Sequence, residues 1–335
     1  MKRILQTLFS VMRMAVGLKP RPVIRYVRQG GAGNADGTSW ANAAEDLQAT
    51  IKACPKGSEV WVATGEYWPK KQGHAFVMKE GVRIYGGFPM PDSDKPDPAM
   101  DSRDWRVNPT ILKGNGRRVV YNKCNRLTAA AVLDGFVIEG GRTNDKGGGI
   151  YNQKVSPTFV NLIVRDNHAW TGGGIFQSGG ILCLSEVTVT GNLSHWDGAG
   201  IYSNDCKLVL ANVTISNNVA EVGNGGGMCN RRTMDSSILK GVIVKGNSSA
   251  SGGGGIFNSC SSPVLINVAI DNNETSGDGG GMYNSDSSPV LDNVTINSNR
   301  TIGDGGGIFN EGNSSPMLNQ VTITSNLSGQ YHHLE

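Results

Sequence analysis

The stretch "SGDGGGMYNSD" occupies residues 276–286, and 26 residues later the chain writes "IGDGGGIFNEG" at 302–312. The same cluster returns upstream as "GGGIYN" (147–152), "GGGIFQ" (172–177), "GAGIYS" (198–203), "GGGMCN" (225–230) and "GGGIFN" (253–258), with starts separated by 25 to 28 residues. A second signature runs in step: "LIVRDN", "VTVTGN", "VTISNN", "VIVKGN", "VAIDNN", "VTINSN" and "VTITSN", closing at Asn167, Asn192, Asn218, Asn247, Asn273, Asn299 and Asn326. Between the two lies a third, "SPTFVN", "SPVLIN", "SPVLDN" or "SPMLNQ", in four of the units. Three β-type segments per unit, separated by turns of Gly, Asn, Ser and Asp, leave no room for a helix. Such a unit is one rung of a parallel β-helix, each segment pairing with its counterpart ~4.8 Å away on the next rung. The fold class expected is therefore all-β, a solenoid whose equivalent residues stack in columns.

The columns can be read in advance. Ile150, Ile175, Ile201, Met228, Ile256, Met282 and Ile308 form a buried aliphatic stack, and the closing asparagines form an amide ladder at a bend. The glycines allow positive φ and close approach at the corner before the strand. The next column, Tyr151, Phe176, Tyr202, Cys229, Phe257, Tyr283 and Phe309, alternates to the other face and is expected partly outward. It serves either as stacking that shields the sheet or as an aromatic stripe for a sugar chain.

Four spans follow. Residues 1–23 are a leader, with a basic start and an apolar run from Ile4 to Met12 that Arg13 interrupts, a weak signal segment. Residues 24–140 are an N-terminal cap and irregular early rungs. Within them "EDLQATIKACPKG" (45–57) reads as an amphipathic capping helix with Leu47 and Ile51 on one face. Its role is to cover the open end of the solenoid. The proline- and aspartate-rich segment 89–105 reads as a loop leaving the coil. Residues 141–328 are the regular rungs and 329–335 a tail; the last rung reads as uncapped, a place for self-association or a partner.

Residues 1–130 carry 21 Lys/Arg against 11 Asp/Glu (+10), whereas residues 131–335 carry 10 against 17 (−7). The basic half suits an acidic polymer or membrane headgroups, or is a solvated surface. Six cysteines are scattered without zinc spacing and read mostly as small buried hydrophobes. Nothing points to nucleic acid, and no phosphate-binding loop, nucleophile elbow, His-Glu-x-x-His or dinucleotide fingerprint occurs.

Chemistry, if any, belongs in the variable turns between the asparagine ladder and the glycines. His168 and Trp170 fall one rung from His195, Trp196 and Asp197, with Glu221 on the next. Two tryptophans and two histidines beside carboxylates suit a sugar-binding or catalytic patch; the plain alternative is freely varying surface turns. Asp197, Glu221, His195 and Arg232 are the catalytic candidates, and His168, Trp170, His195 and Trp196 the ligand-binding ones. Asp278 and Asp304 precede the glycine triplet and form either a weak calcium ladder or ordinary turn residues. Arg231 and Arg232, and less so Lys146 and Arg165, are either a lyase base or surface charge.

The segments "YVRQGGAGNADGTSWANAAEDLQATI" (26–51) and "GSEVWVATGEYWP" (57–69) resemble the opening of Bacteroidetes-type right-handed parallel β-helix repeat proteins. The "GGGIYN … NVTISNN" units are similar to the repeats of chlamydial polymorphic outer-membrane proteins. The likeness spans roughly residues 24–327 and implies a right-handed, pectin-lyase-like solenoid, export, extracellular or outer-membrane-associated residence, and adhesion or glycan contact. The function expected is thus a non-catalytic glycan-binding or adhesion module whose partner is a polysaccharide or surface glycan, without a cofactor unless Ca2+. The alternative is a polysaccharide lyase or glycoside hydrolase acting on an extracellular polymer.

Overall fold

A computed structural model describes residues 21–124 and 126–329. The expected leader lies outside the described residues up to residue 20, as does the tail from 330. The chain winds into a parallel β-helix of about ten turns.

One rung shows how. After Gly147–149 the chain runs through Ile150–Val155, Thr158–Val160, Ile163–Arg165 and the two-residue strand His168–Ala169. The expected three segments are thus four. The fourth is too short to carry a hydrophobic period, yet its counterparts on successive rungs form a six-stranded sheet of their own. Left-handed residues turn the corners: Asn161, Asn212, Asn267 and Asn293 in one column, Asp166, Asn217 and Asn272 in another, with φ between 51° and 55°. Asparagine and aspartate visit this region at low cost, which explains their frequency in the turns.

The registers are those the repeat implies. Ile150 pairs with Ile175, then Ile201, Met228, Ile256, Met282 and Ile308. All but Ile308 are buried, and with the Leu184–Leu210–Leu239–Leu265–Leu291 side they fill one continuous core. Each such residue stabilises the fold by about 1.5–3 kcal/mol through apolar area removed from water. The asparagine ladder is equally regular. Asn192 Nδ2 donates to Asn218 Oδ1 at 3.0 Å and to the Val164 carbonyl at 2.9 Å, and the pattern continues to Asn326.

A second ladder stands three residues after the glycines. Asn230, Asn258, Asn284 and Asn310 pass side-chain hydrogen bonds of 2.9–3.0 Å from rung to rung. The first glycine of each triplet has positive φ, 71° at Gly279, and a Cβ there would lie 2.6 Å from the Met282 carbonyl oxygen. This turn folds back over its own aromatic residue, whose Cβ at Tyr283 would be 2.9 Å away. The aromatic column therefore points away from the core and is still largely covered. Tyr151, Phe176 and Phe257 are buried, and Phe176 and Tyr202 stack in parallel with ring centroids 5.4 Å apart.

In the early rungs the helix spans Leu47–Ala53, shorter than residues 45–57. Asp46 caps it by accepting from Ala49 N at 2.9 Å, and Leu47 and Ile51 join the same core as Val27 and Val60. The 89–105 segment is tied back to the coil, since Trp40 Nε1 donates to the Pro98 carbonyl at 2.7 Å. None of the six cysteines is disulfide-bonded. Cys54, Cys206 and Cys229 are buried, while Cys124 and Cys260 are exposed at left-handed corners. Burial pushes the Cys206 thiol up to about 12. Among the described residues no helix is long and apolar enough to cross a membrane.

Candidate functional site

The short fourth strands decide which variable-turn side chains meet. His168–Ala169 pairs with Leu193–Ser194, and that strand with Val219–Ala220. The residue following each strand is then stacked in one column: Trp170, His195, Glu221. Strand alternation turns all three outward, because the preceding Ala169, Ser194 and Ala220 are buried. The Trp170 and His195 rings lie 4.3 Å apart, and His195 Nδ1 stands 3.4 Å from Glu221 Oε2. Trp196, the next residue along, lies 5.5 Å from His195 and 6.5 Å from Trp170. Both indoles remain open to solvent, Trp170 by 48% and Trp196 by 41%. A large aromatic left half-exposed on two neighbouring rungs is an unusual expenditure of apolar surface.

His168 lies at the rim, half-buried in its strand, and no ring contact among the described residues joins it to the tryptophans. Asp197 is turned away from the group. Its Oδ1 accepts from Asn224 N and Nδ2 at 2.8 and 3.2 Å, and its Oδ2 from Arg231 Nη2 at 2.9 Å. Arg231 in turn covers the Phe257 ring at 5.7 Å. Arg232 belongs to a different cluster: its guanidinium holds Asp205 at 2.8 Å and Asn204 at 2.8 Å. That pairing keeps the Asp205 carboxyl below its usual range. Lys146 sits over Phe176 at 5.2 Å and Arg165 donates to Glu139 at 2.7 Å.

Asp278 and Asp304 are neighbours in one column, and Asp278 Oδ1 accepts from Asp304 N at 2.7 Å. Among the described residues no three His, Cys, Asp or Glu side chains converge as a metal site. The structure also exposes a third tryptophan, Trp68, at 46%. It lines a cleft of about 360 Å3 with Glu45, Glu66, Tyr67 and Lys70. Trp68 stands in the irregular rungs, where no repeat marks a column, and only its isolation among polar neighbours in "GEYWPKK" could have drawn attention.

The arrangement offers two exposed indoles tilted 55° to one another, flanked by an imidazole and the solvent-exposed Glu221 carboxylate. Ring faces of this kind hold the apolar face of a pyranose, while His195 and Glu221 can hydrogen-bond its hydroxyls. No family model and no curated protein matches the chain. Two solved structures are similar in shape. The pectate lyase Pel9A aligns over 93% of this chain and 80% of its own at 13% identity, with a TM-score of 0.49. The ORF18 protein of Geobacillus virus E2 aligns over 93% of this chain and 62% of its own at 14% identity, with a TM-score of 0.42. Neither likeness assigns chemistry to this chain.

Proposed function

We propose that this protein is an exported, non-catalytic β-helix that holds a polysaccharide or surface glycan on the Trp170–His195–Trp196 patch, with extracellular or cell-surface residence. The observation that carries the proposal is the pair of half-exposed indoles 6.5 Å apart on adjacent rungs. Binding is favoured over cleavage by the state of the carboxylates. A glycoside hydrolase needs two acting across one bond. Here Asp197 is held by Asn224 and Arg231, and Asp145, on the rung before Trp170, by Arg118, which leaves Glu221 as the one of these three without an arginine partner. A lyase needs a base over the sugar, and Arg232 is engaged with Asp205.

The test is retention of the purified protein on a panel of neutral and acidic polysaccharides, with released oligosaccharides followed by mass spectrometry. Trp170→Ala combined with Trp196→Ala is expected to weaken retention by at least about tenfold, the usual consequence of truncating an aromatic anchor. Retention equal to wild type removes the patch from consideration. Product formation that Glu221→Gln abolishes turns the reading to a hydrolase or lyase.

A further inference from the structure

The aromatic column has an end, and that end opens into a cleft of about 260 Å3. Val120 pairs with Ile150, so Tyr121 extends the column by one rung beyond Tyr151, their ring centroids 5.1 Å apart. One rung further, Phe76 is bridged to Val120, so the residue opposite Tyr121 is Val77 rather than another ring. The cleft forms around these two, and its titratable lining is His74, Arg117, Arg118 and Tyr121, with no carboxylate.

Arg118 is unusual within it. The residue is only 4% exposed, its guanidinium carbon lies 5.0 Å from the Tyr121 centroid and 4.8 Å from that of Tyr151, and its Nη2 donates to Asp145 Oδ2 at 2.8 Å. Its Nε, buried, has no partner. A buried cation satisfied on one side only, with the exposed Arg117 and His74 beside it, leaves the local charge positive after Asp145 is counted. Asp145 also links this cleft to the tryptophan patch: its carbonyl accepts from Trp170 N at 2.7 Å. The two features are therefore joined through Asp145, which contacts Arg118 on the rung before it and Trp170 on the rung after it.

We propose that the cleft is a subsite for an anionic sugar, the ring lying against Tyr121 and its oxyanion against the Arg117–Arg118 pair. Guanidinium groups match the fork of a carboxylate or sulfate, and an aromatic face beside them accepts the ring that carries it. The proposal rests on the glycan-binding reading for the identity of the ligand as a sugar, and it adds the charge that the sugar bears.

Affinity electrophoresis in dextran, dextran sulfate and polygalacturonate, at one fixed salt concentration, tests it. The double variant Arg117→Gln, His74→Gln alters two exposed side chains; Lys240→Gln, several rungs away, controls for diffuse charge. The expected result is retention by at least one acidic polymer that falls about tenfold in the double variant, with no change in Lys240→Gln. Preference for polygalacturonate identifies the oxyanion as a carboxylate, and preference for dextran sulfate as a sulfate ester. Loss in the double variant while Trp170→Ala with Trp196→Ala is retained as wild type keeps the subsite and rejects the patch. The reverse keeps the patch and rejects the subsite. Retention by neither acidic polymer, or an equal loss in Lys240→Gln, overturns the subsite as well.

Discussion

Asn273 makes plain what a single amide does in this fold. Its Nδ2 donates to Asn299 Oδ1 and to the Val244 carbonyl, both at 2.9 Å, while its Oδ1 accepts from Asn247 N and Nδ2 at 3.0 and 2.9 Å. It is fully buried. Every lone pair and hydrogen the side chain uses has a partner that itself depends on the next rung, so the network is satisfied only as a whole. Asn273→Asp keeps the shape and removes both donors, leaving the Val244 carbonyl and Asn299 Oδ1 facing a carboxylate. The expected loss at neutral pH is about 3 kcal/mol in a urea titration. Part of it should return in acid, where the protonated carboxyl recovers one donor; full stability at neutral pH would mean that the ladder contributes nothing beyond shape. This ladder was legible because the asparagine recurs at the end of every unit. The second ladder was not, because Gln177 and Ser203 interrupt it and a change of residue type hides a conserved position in space. The aromatic column shows a subtler failure. Alternation correctly turns it away from the core, but its covering comes from the glycine turn of the same rung, which no period can express.

Glu139 belongs to the scale of the strand. Lys113, Glu139 and Arg165 occupy one column on three successive rungs, an alternation of charge built by register alone. Lys113 Nζ lies 2.6 Å from Glu139 Oε1 and Arg165 Nε 2.7 Å from Oε2, with Glu66 a further 3.3 Å partner of Lys113. Burial alone would push the Glu139 carboxyl up, but the two cations outweigh it and hold it below the usual range. Because the folded value is depressed, this column stabilises the protein above about pH 4.3, the ordinary glutamate value, and the contribution is lost as pH falls through the folded value. Denaturant midpoints of wild type and Glu139→Gln should therefore differ at pH 7 and converge by about pH 3; a constant difference would assign the effect to packing. Ion pairs of this kind explain why Arg165 and Arg231, read from sequence as loose surface charge or a base, have structural partners. Pairing depends on which residues share a column, and adjacency in sequence does not show that Arg231, rather than Arg232, reaches Asp197. The tryptophan group was found from spacing because Trp170 and His195 follow their ladder asparagines at the same offset.

For the whole molecule, a solenoid stabilises itself through neighbouring rungs, so cohesion is lowest where a rung has one neighbour. Residues 24–140 were hard to place because their pairings, such as Phe76 with Val120, follow no constant spacing. At the other end the registers hold, yet the burial does not. Leu318 pairs with Leu291 and Ile323 with Ile296; the inner partners are fully buried, whereas Leu318 is 51% and Ile323 45% exposed. Half the apolar stabilisation of an interior rung is missing there. Hydrogen exchange should accordingly report a gradient, with amides of Met317–Asn319 and Thr322–Thr324 exchanging well before those of Val264–Asp271, which are paired on both sides. Substitution should follow the same gradient: Leu265→Ala is expected to cost about 2–5 kcal/mol and Leu318→Ala under about 1 kcal/mol. Equal protection of both rungs would contradict local fraying, and protection of the outer rung that rises with protein concentration would mean that a second copy covers it.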